Sequence, residues 1–167
     1  MNAVRKWAWI GAVAFGLLLC ASGLFMVREA RAAHDDVRDA LAGERIVTAE
    51  DAEIPLAPVN GPAEAKAQAD AIQMHVLEST DGLTYAELPR DDPRRATYLQ
   101  AVTLRTALME SYLAFKVADL VLGVGLIVTL LGLSHVVLGV YLGLITMPAR
   151  ESATGQAPSG RARPAVS

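Results

Sequence analysis

LVLGVGLIVTLLGLSHVVLGVYLGLITM, residues 120–147, decides the fold. These 28 residues contain no Asp, Glu, Lys or Arg, and the run stops at Pro148, which lacks the backbone donor a continuing helix needs. As α-helix the stretch rises about 1.5 Å per residue, more than the ~30 Å hydrocarbon core of a bilayer requires, so it should tilt or project beyond the lipid. No proline or polar turn divides it, and it is too short for two crossings. It therefore predicts one span.

A second apolar block lies at the other end of the chain, WAWIGAVAFGLLLCASGLFMV, residues 7–27, 21 residues without a formal charge. A removable signal peptide is the competing reading, because Arg5 and Lys6 precede the block and Ala30–Ala32 in ARA has the small-x-small spacing of a cleavage site. The block exceeds the usual signal core, and Arg28, Glu29 and Arg31 separate it from that site, which favours an uncleaved anchor. Cys20 follows Leu19, where a lipoprotein signal would carry a small residue. A lone cysteine also excludes an internal disulfide.

The charges divide the chain. Residues 28–119 hold ten Lys or Arg and seventeen Asp or Glu, a net of −7 within an overall −3. Such a segment repels phosphate backbones, so nucleic-acid binding is excluded as a function class. Long loops translocate largely regardless of their charge, which leaves Arg5, Lys6, Arg150, Arg161 and Arg163 as the orienting signal. They favour both termini in the cytoplasm and residues 28–119 outside a plasma membrane.

Between the spans the sequence predicts helices joined by a connector. Residues 28–41 continue the first span in Ala-rich, charged sequence, with Gly43 as the expected break. Residues 48–62 hold three prolines and an Asn-Gly, which forbid a helix. Pro62 then suits a first helical position, and Ala65, Ala69, Ile72 and Val76 recur at helical spacing towards Ser79. Thr84 and Glu87 have capping-box spacing for one turn before Pro89. Asp92 as N-cap and Pro93 after it open a last helix expected to run unbroken to Met147. The fold class is an all-α membrane protein: two transmembrane helices extended into an antiparallel stalk, with one or two shorter extramembrane helices. Residues 1–6 read as a tail and 148–167 as a disordered one.

Small residues supply a packing face. Ser111, Ala118, Gly125, Gly132 and Gly139 fall seven apart, Gly139 and Gly143 four apart, and Gly16, Gly23 and Ala30 form the matching series in the first helix. His135 shares the face of Gly132 and Gly139, so it should point at a neighbouring helix and bond across the pair, to Ser22 or a backbone carbonyl. An ionisable group at mid-span can instead be a proton relay or a haem ligand, but no other His occurs in either span to provide a second axial ligand. Lys116 and Asp119 read as an interfacial ion pair.

The chain lacks G-x-x-x-x-G-K-[ST], G-x-S-x-G, C-x-x-C and H-E-x-x-H. A metal site of two His and one carboxylate would have to combine His34 and His75 from separate helices with Asp35 or Glu78. No cofactor or metal is expected.

The stretch from Glu44 to Leu108, above all TYAELPRDDPRR (residues 84–95) with a span on each side, resembles a group of small actinobacterial membrane proteins of unknown function. Tyr85, Glu87, Asp92, Pro93 and Arg95 carry the resemblance, and arginine outnumbers lysine twelve to three. Many members bear the label "aromatic ring-opening dioxygenase", but nothing in these residues supplies that reaction's metal site. The resemblance implies topology and lineage, and no reaction. Two function classes follow: a non-catalytic accessory or scaffold subunit of an envelope complex, partnered by other membrane subunits or by itself, or a membrane redox or metal-dependent component using His135 or His34 with His75.

Overall fold

The computed structural model describes residues 2–146, with side chains from Trp7 onward; the tail 148–167 lies outside the described residues. Three helices follow in order, α1 (Asn2–Glu44), α2 (Pro62–Ser79) and α3 (Arg94–Thr146), and no strand occurs among the described residues. At about 1.5 Å per residue, α1 and α3 are rods of roughly 65 and 80 Å. Both are long and apolar enough to cross a membrane, and only 17% and 11% of their apolar windows are buried. The core of a soluble bundle would hide those windows.

α1 and α3 pack against each other along their length, and α2 packs on α3. Their contacts fix the direction: Gly16 meets Gly132, Gly23 meets Gly125, and His34 meets Phe115 further out, so the two rods are antiparallel. α1 extends beyond its expected end. Gly43 stays helical and exposed, and the chain turns instead at Arg45, a non-glycine residue with φ +54°. At the other end α1 already begins at Asn2, so it includes most of the segment read as a tail.

The connector closes on itself. Thr48 N–H donates to Ala57 O (2.9 Å), Ala57 N–H donates to Thr48 Oγ1 (2.8 Å), and Val59 N–H donates to Ile46 O (2.9 Å). With Thr48 and Val59 almost fully buried, the prolines have shaped a compact loop. It folds back over α2, where Gln68 Oε1 accepts from Ala49 N–H (2.8 Å) and His75 Nε2 meets Asp51 Oδ2 (2.7 Å). That covering explains why Ala67 and Ala71 are buried as well as the expected Ala65, Ala69 and Val76. α2 is held on two faces, and only small side chains fit both.

The charged stalk has two small cores. One joins Leu41, Val59, Ala65, Ala69, Leu108 and Phe115 where all three helices and the connector meet. The other joins Val76, Leu88 and Tyr98 at the far end.

Candidate functional site

Two places concentrate the residues singled out in the sequence: the seam between the apolar halves of α1 and α3, and the turn region between α2 and α3.

In the seam, Gly16, Gly23, Gly125, Gly132, Gly139 and Gly143 are all buried. Backbone meets backbone there. A Cβ added at Gly132 would lie 2.6 Å from Cys20 N and 2.7 Å from Gly16 O; one at Gly16 would lie 2.7 Å from Gly132 O and Val136 N. At Gly23 it would lie 2.6 Å from Gly125 O, and at Gly139 2.9 Å from Val13 N. Gly143 is looser, because a Cβ would only touch the Trp9 ring at 3.2 Å. Cys20 Sγ points across the seam to Thr129 O (3.6 Å), while Thr129 Oγ1 bonds its own helix at Gly125 O (2.8 Å).

His135 is placed differently from the sequence expectation. It stands at the edge of the seam, partly exposed, its ring T-shaped against Phe15 of α1 at 5.5 Å between centroids. Its hydrogen bond stays within α3, from Nδ1 to Leu131 O at 2.8 Å, and does not cross to Ser22. A carbonyl oxygen only accepts, so Nδ1 carries a proton, and in the neutral ring Nε2 is then the acceptor. Glycine fills the centre of the seam because no side chain fits there, and the imidazole is displaced to the margin.

The other two histidines do not converge. His34 lies against Phe115 (4.6 Å between centroids), and His75 is on the outer side of α2 with Asp51. No group of three His, Cys, Asp or Glu side chains placed to hold a metal occurs among the described residues. Lys116 is also reassigned: its Nζ lies over the Tyr112 ring at 5.5 Å, one turn back, and no Lys116–Asp119 pair forms among the described residues.

The far end of the stalk is tied by Tyr85, Glu87, Asp92, Pro93 and Arg95. Glu87 Oε2 accepts from the N–H (2.8 Å) and hydroxyl (2.7 Å) of Thr84, closing a single turn. Those bonds hold its carboxyl below the usual carboxylate range. Asp92 Oδ1 accepts from Arg94 N–H at 2.8 Å, which caps α3 after Pro93. The Arg94 guanidinium grips Asp92 and reaches Asp81 (2.9 Å), so the arginine that opposes the helix dipole is neutralised locally. The Asp92 carboxyl is lowered first by that side-chain bond, and the guanidinium is raised in turn. Arg95 donates to Tyr85 O (2.9 Å) and Leu88 O (2.8 Å) and stacks on the Tyr85 ring at 4.0 Å. Sequence spacing found the caps; Arg95 as the clasp of the 85–88 turn was not legible, because its acceptors are backbone carbonyls.

A groove of about 710 Å³ opens in the stalk between α1, α2 and α3, with Leu41, Ile72, Leu104 and Leu108 inside and Glu44 and Glu110 beside them. Compared with known protein families, with curated proteins and with solved structures, the chain has no match.

Proposed function

We propose that the chain is an integral plasma-membrane protein that crosses the bilayer twice, with both termini in the cytoplasm and residues 28–119 outside. In this reading it serves as a non-catalytic accessory or scaffold subunit of an envelope membrane complex. The observation that carries it is the pair of unbroken rods: each passes from an exposed apolar window directly into a charged stalk. Apolar surface left uncovered at that length is stable in lipid and not in water.

The stalk is built to hold a shape. Its arginines and carboxylates at the far end are used in caps, ion pairs and carbonyl clasps, and the glycines of the seam between the apolar halves are used inside the chain. What is left for partners is the outward surface of the rods and the acidic stalk.

Two experiments test this. Reporters fused at Gly61 and at the C-terminus should report opposite sides of the membrane; the same side for both would overturn the topology. Isolation from native membranes in mild detergent should bring down other membrane subunits in fixed proportion. Isolation of an active oxidoreductase bearing a metal or haem would overturn the accessory role.

A further inference from the structure

The face of α3 turned away from α1 carries its own repeat. Leu113, Val117, Leu120, Val124, Ile127, Leu131, Ser134, Leu138, Tyr141 and Ile145 follow one another at alternating steps of four and three, the a/d spacing of a coiled coil sustained over more than four heptads. Every large apolar member is 40–66% exposed, and Ser134 is exposed as well. In the outer heptads valine occupies a (Val117, Val124) and leucine occupies d (Leu113, Leu120), the combination that favours two parallel strands. Glu110 holds the next a position outward, where like charges would meet and end the seam.

Apolar side chains alone would suit lipid tails equally well. The polar pair at the middle of the stripe does not. His135 Nδ1 is spent on Leu131 O, and Nε2, an acceptor on a partly exposed ring, has no partner among the described residues. Ser134, one residue earlier, bonds only back to Leu131 O of its own turn (2.8 Å), a default that a better-placed acceptor can displace. Ser134 is at d and His135 at e. In a parallel pair each d side chain enters a hole bounded by the partner's a, d, e and next a residues, so each Ser134 hydroxyl faces the other copy's His135.

We infer that a second copy of this chain docks on the Leu113–Ile145 face of α3 in a parallel pair, with the Ser134 hydroxyl of each copy donating to His135 Nε2 of the other. Donor and acceptor are adjacent in one sequence, so a two-fold axis along the membrane normal satisfies both copies at once. An unpaired acceptor in hydrocarbon is unfavourable, which drives the association where apolar contact alone would not. The inference rests on the two-span reading, since only then do both copies lie parallel in one bilayer.

The test uses the full-length chain carrying Cys20→Ala, with single cysteines placed in turn at Ile127, Leu131 and Leu138 on the seam and at Leu126, Leu133 and Val137 on another face, oxidised in native membranes. Disulfide-linked dimers are expected at the first three positions and not at the second three. Equal yields on both faces, or no dimer anywhere, would overturn the pairing. Alkaline carbonate washing of the same membranes keeps the two readings apart: a chain that stays in the membrane without face preference sinks only the dimer, whereas a chain that washes out sinks the two-span reading and the dimer with it. In detergent dilution series, Ser134→Ala and His135→Phe should each weaken the dimer on the order of ten-fold, two bonds being lost per pair. Unchanged association in both variants would remove the hydrogen bonds from the interface.

Discussion

Gly132 and Gly11 are both glycines of long apolar helices, yet their surroundings differ completely. A Cβ at Gly132 meets backbone of α1 on two sides, whereas one at Gly11 meets nothing within 4 Å. Backbone cannot swing away as a side chain can, so Gly132→Leu and Gly23→Leu should force the rods apart and destabilise the hairpin by about 1–3 kcal/mol or more, as overpacking does. Gly143→Ala, which only presses on the Trp9 ring, should be milder, and Gly11→Ala should be neutral or slightly stabilising. Thermal unfolding in detergent checks the order; equal effects at Gly11 and Gly132 would remove the close approach from the account. Arg95 supplies a second test at this scale. Lysine keeps the charge but loses the planar group that stacks on Tyr85 while its Nη1 donates to both carbonyls, so Arg95→Lys should loosen the turn at residues 85–88 and speed proteolysis after Arg90.

At the scale of elements, α3 owes its start to Asp92 and its outer lock to carboxylates whose folded pKa values are depressed. Asp51, Glu87 and Asp92 are each lowered, first by a bond to His75, to the Thr84 backbone and to Arg94 respectively. The unfolded chain therefore binds more protons than the folded one in the acid range. The stability they supply is fully present above the ordinary carboxylate range and is lost as pH falls through the lowered values. Protection of the amides in the first turn of α3 and in the 84–88 turn, taken relative to the intrinsic exchange rate at each pH, should fall below about pH 4 and stay level above it. Asp92→Asn should retain the cap and abolish much of that acid sensitivity at α3, whereas Asp92→Ala should lose both. The rods themselves can be tested by register. One alanine inserted after Val117 rotates everything beyond it by about 100°, so the seam and the Leu108–Phe115 core can no longer both engage α1. Protease protection of the stalk should fall while membrane insertion persists.

For the whole molecule, α1 and α3 carry most of the tertiary contact, and α2 is bound through two small cores and the connector. The hairpin should therefore survive a cut in the outer loop. Limited trypsin cleavage after the exposed Arg90 is expected to leave fragments 1–90 and 91–167 associated in mild detergent, because the glycine seam holds them. The same cut in Gly132→Leu should release them, and separation of the fragments without that substitution would show that the loop and not the seam holds the rods together.

The sequence by itself determined the all-helical class, the two apolar rods, the capped start at Asp92 and the heptad of small residues, because each depends on local periodicity or on backbone chemistry that neighbours in the chain dictate. Gly16 and Gly132 were legible as small, and α2 as a helix with a narrow stripe. The tertiary structure decided what those features meet. It carried α1 through Gly43 to turn at Arg45, since a helix ends where its packing ends and a permissive residue does not force a stop. It folded the connector over Ala67 and Ala71, moved Lys116 onto Tyr112, and turned His135 to its own helix, leaving Nε2 without a partner among the described residues. Periodicity specifies which face of a helix is buried; only the position of the neighbouring backbone specifies whether a side chain at the margin of that face goes in, along or out.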